Sequence, residues 1–184
     1  MSKRAAQRES ITETLCGYVL RHGLSETSLR QLAKAAGVSD RMLLYYFEDK
    51  FDVLATVMQA IASTFTDVLN QTLPNDGARS MAEIFEEVTT LSTAPDLQPF
   101  MSLWIETIAA ASRGTEPYKS AAIQIGGGFL TWIEARLPKS KDAPAKAATV
   151  LTMIEGLAVM EACADEPTQQ YARETILRIL KHEN

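Results

Sequence analysis

A chain of 184 residues, 46% hydrophobic and 22% charged, has the composition of a globular protein able to bury a core, which excludes a disordered or fibrous one. No run reaches the roughly 18 uncharged apolar residues of a membrane span, and Met1-Ser2-Lys3-Arg4 leads into polar Gln7-Arg8-Glu9 with no apolar signal segment, so a cytoplasmic protein without membrane attachment is expected. The net charge of −5 is uneven: residues 1–50 carry eight Lys/Arg against six Asp/Glu, and residues 51–184 ten against seventeen, giving a mildly basic start on an acidic body. Cys16 and Cys163 lie far apart without metal-ligand spacing and read as buried, reduced thiols.

Apolar residues recur at helical spacing along the whole chain and two-residue alternation is nowhere sustained, which predicts an all-α fold. A first helix covers about 3–21, with Ile11, Leu15, Tyr18 and Val19 inward, and stops at His22-Gly23. A short second helix follows Thr27, capped by its hydroxyl or by that of Ser28, and ends at Gly37. A third begins after Ser39 and reaches about Phe47. A long fourth starts near Asp49, with Phe51, Leu54, Ala55, Met58, Ile61, Ala62, Phe65 and Leu69 on its inner stripe, and ends at Pro74-Asn75-Asp76-Gly77. Five more are expected at 79–93, 96–112, 116–137, 143–164 and 167–181, with Pro95, Pro117, Pro138, Pro144 and Pro167 at or near the breaks. The layout is a three-helix head, residues 1–48, followed by a larger helical bundle, residues 49–184, about nine helices in all.

The informative stretch is 27–47. Two short helices crossing steeply need a small residue at the crossing, here Ala33, and a turn with positive φ, here Gly37. Leu29, Leu32, Ala36, Val38 and Leu43 then lock the pair. A small residue, glycine four later and an apolar residue six after that is the spacing of a DNA-reading helix-turn-helix; an ordinary corner between two helices is the plainer reading of the same spacing. Ser39 can cap the third helix and leave Asp40, Arg41 and Met42 facing outward.

Residues 23–54 resemble the N-terminal signature of the tetracycline-repressor (TetR) family, through Thr27, Leu32-Ala33, Ala36-Gly37-Val38-Ser39, Leu43, Tyr46-Phe47, Lys50 and Leu54, without a gap. The total length, the nine-helix layout and Ile154-Glu155-Gly156-Leu157 are also similar to that family. Two positions depart from the pattern: Arg41 stands where a small residue is common, and Leu44 where a phosphate-touching tyrosine is frequent. The resemblance implies phosphate contacts at Thr27, Ser28, Ser39, Tyr45, Tyr46 and Lys50. It implies base reading by Asp40, Arg41 and Met42 at the exposed start of the reading helix, and by Arg30 on the helix before it. Arg30 is equally at home solvated on its helix, and Tyr46 and Phe47 suit a role closing the head.

For the body the resemblance implies a small-molecule cavity. Its expected lining is Phe85, Phe100, Met101 and Trp104, with Ile125, Phe129, Met153 and Met160, residue types that serve equally as plain core. Glu106 and Glu155, carboxylates among apolar neighbours, need a partner: a cationic or hydroxyl-bearing ligand, or an arginine. The last two helices resemble the family's dimer bundle, with Ala148, Leu151, Gly156 and Val159 on one and Ile176, Leu177 and Leu180 on the other. Gly126-Gly127-Gly128 lacks the strand and lysine of a phosphate loop and reads as a kink or close contact inside a helix. No catalytic motif, metal-ligand cluster or cofactor signature occurs, so an enzyme is not expected. The expected function is a ligand-responsive DNA-binding regulator, a repressor, acting as a homodimer on a palindromic operator; the alternative is a helical small-molecule-binding or scaffold protein with a non-functional DNA-binding head.

Overall fold

A computed structural model describes residues 3–24 and 27–182. Among them are nine helices and no strand: α1 (Lys3–His22), α2 (Leu29–Ala35), α3 (Asp40–Tyr46), α4 (Lys50–Thr72), α5 (Met81–Ser92), α6 (Gln98–Ser112), α7 (Tyr118–Glu134), α8 (Ala143–Cys163) and α9 (Glu166–His182), with one 3₁₀ turn at Pro95–Leu97. The chain forms two compact units, Met1–Phe65 with Pro99–Ile125 and Thr66–Gln98 with Gly126–Asn184.

The first unit is built on one core. Ile11, Leu15 and Val19 of α1 meet Leu32 and Ala33 of α2, Leu43 and Phe47 around α3, Val53, Leu54, Val57 and Ile61 of α4, and Leu103 of α6. These side chains repeat every three or four residues on their helices, so each helix turns one stripe inward. The stripe of α4 differs from expectation at its start. Phe51 is 51% exposed, while Val53 and Val57 are fully buried. Spacing alone does not tell at which turn a helix's neighbours begin. On α6, although its sequence is apolar on most sides, only Leu103, Thr107 and Ala110 are buried.

In the second unit α5 packs on α8 and α9, and α8 on α9. Phe85, Ile84 and Val88 of α5, Val150, Ile154 and Leu157 of α8, and Leu180 of α9 are buried. A capping box starts α5: Ser80 Oγ accepts from the Glu83 amide, and the Glu83 carboxylate accepts from the Ser80 amide at 2.7 Å. The buried Arg136 guanidinium donates to Leu73 O (2.8 Å), Trp132 O (3.0 Å) and Asn70 Oδ1 (2.7 Å) and lies 3.8 Å over the Trp132 ring. The indole of Trp132 donates to the same Asn70 oxygen.

Three smaller expectations change. Cys163 is exposed, not buried; Cys16 is half-buried, and burial, with help from the Glu13 charge, pushes its thiol up to about 11. Helix α8 is long and apolar enough to cross a membrane by composition, but it carries Lys146, Glu155 and Glu161 and packs on α5 and α9. The Gly126–Gly128 triplet stands inside an unbroken α7, and a Cβ at any of the three would meet nothing within 4 Å, so close approach is not its reason.

Candidate nucleic-acid interface

Residues 28–47 form a helix-turn-helix whose every junction has a local cause. Ser28 is the N-cap of α2 and makes a capping box with Gln31: the Ser28 hydroxyl accepts from the Gln31 amide, and Gln31 Oε1 accepts from the Ser28 amide at 3.0 Å. After α2, the Val38 amide donates to Ala33 O (3.0 Å) and the Gly37 amide to Lys34 O (3.2 Å), the paired bonds of a Schellman ending. Gly37 has φ +67°, and a Cβ there would meet nothing within 4 Å, so backbone conformation and not space selects glycine. Ser39 then caps α3, its Oγ accepting from the Met42 amide at 3.2 Å. Such caps stabilise a short helix by about 1 kcal/mol each. Ala33 is 1% exposed where the two helices cross.

This frame turns Leu43 and Phe47 inward and leaves Asp40, Arg41, Met42, Leu44 and Tyr45 on the outside of α3. Arg30 is exposed on α2, and Lys50 is half-buried at the first residue of α4. Tyr46 is half-buried, edge-on to Tyr45 at 5.1 Å. Thr27 is different: it is 2% exposed and its hydroxyl donates inward to Leu24 O at 2.7 Å, so Ser28 and not Thr27 caps α2.

The arginines of α1 take a part that sequence reasoning missed. Arg4 donates to Tyr45 O (2.9 Å) and stacks 5.0 Å from the Tyr45 ring. Arg8 donates to Tyr46 O (3.2 Å), Asp52 Oδ1 (3.3 Å) and Thr56 Oγ1 (2.9 Å), and lies 4.6 Å over the Phe47 ring. Both cations therefore sit on the last carbonyls of α3, where the helix dipole is negative. Their four-residue spacing on one helix face was the available signal. Asp52 also accepts from the Glu48 amide, so α1, α3 and the start of α4 are joined through Arg8 and Asp52.

Five of the expected effector contacts (Phe100, Met101, Trp104, Glu106, Ile125) fall in the first unit and five (Phe85, Phe129, Met153, Glu155, Met160) in the second. Phe85 and Ile125 are buried, Glu106 is exposed, and the rest are half-buried. Glu106 does not face ligand-like space: its carboxylate accepts from the Leu24 amide at 2.7 Å. On α8, Ala148, Gly156 and Val159 are exposed and Leu151 is half-buried; on α9, Ile176 and Leu177 are half-buried. Leu180 is 1% exposed within its own chain, which withdraws it from any partner face, whereas Tyr171 (70% exposed) and Ile179 (47%) were not foreseen. No group of three potential metal ligands occurs among the described residues.

Residues 19–63 match the profile of the bacterial regulatory proteins of the tetR family. No curated protein matches the sequence. Among solved structures, a TetR-family transcriptional regulator from Cytophaga hutchinsonii is 16% identical, covers 99% of this chain and 96% of its own, and superposes with a TM-score of 0.78. A TetR transcription regulator from Haloarcula marismortui is 18% identical over 97% of this chain and 98% of its own, with a TM-score of 0.73. The multidrug binding protein EbrR, complexed with proflavin, is 21% identical over 94% of this chain and 98% of its own, with a TM-score of 0.68.

Proposed function

We propose, from the match of residues 19–63 to the tetR family of bacterial regulatory proteins, that this chain is a member of that family and a ligand-responsive repressor that binds a palindromic operator as a homodimer. The observation that carries this reading is the state of α3. Its N-terminus is capped by Ser39, its C-terminal carbonyls are held by Arg4 and Arg8, and Arg41, Met42 and Tyr45 stand outside. A helix fixed at both ends with a bare outer face is what base reading requires.

In this reading Arg41 reads a base edge, with Met42, Asp40 and Arg30 beside it. Ser28, Ser39, Tyr45, Tyr46 and Lys50 position phosphates, and Thr27 contributes through its backbone. The division of labour is residues 1–48 for DNA and 49–184 for effector and partner, although residues 99–125 fold compactly with the head. The dimer face is Ala148, Gly156 and Val159 of α8 with Ile176 and Leu177 of α9, extended by Tyr171 and Ile179; two such faces related by a two-fold axis bring two reading helices to successive grooves. Half-buried Phe100, Met101 and Trp104 on α6 are the effector contacts. A cationic aromatic of the kind EbrR holds, proflavin, is the first effector to try. The site of action is the cytoplasm.

The test is a gel shift over a salt series with DNA from upstream of the gene that carries an inverted repeat. Operator affinity should fall log-linearly with salt, and Arg41→Ala should lose about 1–3 kcal/mol of discrimination at one base pair. Equal losses on operator and random duplex would remove the base-reading role. A wild type that binds no duplex at low salt would leave the helical scaffold as the better reading.

A further inference from the structure

Two glycines of the head share one positive-φ backbone conformation, and at one of them a side chain also occupies the space a Cβ would take. Gly37 has φ +67° with nothing near the position of a Cβ. Gly23 also has φ +67°, but a Cβ there would lie 2.6 Å from Glu106 Oε1 and 2.9 Å from Oε2. The α6 carboxylate thus rests on the bare face of Gly23 and accepts the Leu24 amide at 2.7 Å. That amide is the second beyond the end of α1; the first, that of Gly23, closes the last turn on Val19 O.

The contact continues toward the reading head. Leu24 O accepts from the buried hydroxyl of Thr27, and Thr27 immediately precedes Ser28, the N-cap of α2. Both backbone polar groups of Leu24 are therefore engaged, its N–H by α6 and its C=O from the entrance to α2. Three residues before Glu106 on the same helix, Leu103 is buried in the head's core, so α6 is fixed at two points one turn apart. The last turn of α1 carries Arg21 and His22.

We propose that Glu106 is a positioning residue for DNA binding: through Leu24 and Thr27 it sets where α2, and with it the reading helix, stands on α1. The DNA part of this inference rests on the function proposed above; the structural part does not.

The experiment compares wild type with Glu106→Ala, Glu106→Gln, Gly23→Ala and the Gly23→Ala/Glu106→Ala double variant. Amide exchange is followed residue by residue, and affinity is measured for a duplex selected by the wild type from a random library. In Glu106→Ala, exchange should accelerate about tenfold or more at Leu24 and spread to Gln31 and Leu32, while Leu15 and Val19 stay protected. Operator affinity should fall about 5- to 30-fold with an unchanged salt slope. The sign is diagnostic, because deleting an acid by charge alone strengthens binding to DNA. Glu106→Gln, which keeps the acceptor oxygen, should recover most of the affinity. Gly23→Ala should cost less in the Glu106→Ala background, where the clash is gone. Unchanged or tighter operator binding in Glu106→Ala, failure of Glu106→Gln to rescue, or strictly additive single effects would overturn the proposal. If the wild type binds no duplex, the function proposed above fails, and the exchange data alone decide this inference: acceleration confined to Leu24 refutes it, and spread into α2 upholds it.

Discussion

Each compact unit uses an arginine to hold the carbonyl end of a helix, and the two do so in opposite ways. In the first, Arg8 reaches from α1 to Tyr46 O with its side chain 39% exposed and a carboxylate, Asp52, at 3.3 Å. In the second, Arg136 is 4% exposed and donates to three neutral oxygens, those of Leu73, Trp132 and Asn70. An exposed ion pair is weak, screened by salt and replaceable by water. A buried guanidinium has no water to fall back on, and neither do its acceptors. The difference teaches that the first unit is fastened adjustably, while the second unit is fastened permanently.

The largest expected effect tests the permanent fastening. Arg136→Met leaves the carbonyls of Leu73 and Trp132 without this donor, with Asn70 Oδ1 keeping the Trp132 indole, and should lower unfolding stability by about 2–4 kcal/mol in urea titration. The loss should be the same at low and high salt. A loss below about 1 kcal/mol would mean that the acceptors find other donors and that the contrast with Arg8 is false.

Arg8→Ala removes a partly exposed ion pair, two further hydrogen bonds and the stacking on Phe47, so about 1–2 kcal/mol is expected. Here the effect should shrink as salt rises, and operator affinity should fall with it because the end of α3 is released. A salt-independent loss as large as that of Arg136→Met would erase the distinction.

The smallest effect separates the two capping boxes. Ser28 pairs with neutral Gln31, and Ser80 with ionised Glu83. Hydrogen bonds from the Ser80 amide and hydroxyl hold the Glu83 carboxyl below its ordinary value of 4.5. A carboxyl with a lowered folded value adds stability that is complete above 4.5 and is lost as pH falls through the folded value. Ser80→Ala should cost about 1 kcal/mol at neutral pH and progressively less in acid, whereas Ser28→Ala should cost about the same at both. Thermal melts of both variants at neutral and acid pH check this, and parallel behaviour would show that the charge on Glu83 is immaterial.

Much of the head was legible before any coordinates. Thr27–Ser28, Gly37 and Ser39 marked the helix ends because a cap or a positive-φ glycine acts on amides within three or four residues of itself. Leu43 and Phe47 were placed by period. The outward face of α3 followed from them, since a helix that buries two positions exposes the rest. Phe51, Leu180 and Cys163 were misplaced for a shared reason. Each is apolar or thiol by type, but burial depends on which other helix lies opposite, and hydrophobic periodicity gives the stripe without its partner.

The sequence by itself determined that the chain is helical, where its helices start and stop, and that residues 27–47 turn as a helix-turn-helix, because these rest on interactions between near neighbours. Only the tertiary structure decided what holds those helices. Arg8 finds Tyr46 across 38 residues, Arg136 finds Leu73 across 63, and Leu24 finds Glu106 across 82. Over such separations a charged side chain has many possible partners. The choice among them is made by packing, which brings one acceptor within hydrogen-bond reach and leaves the others in water.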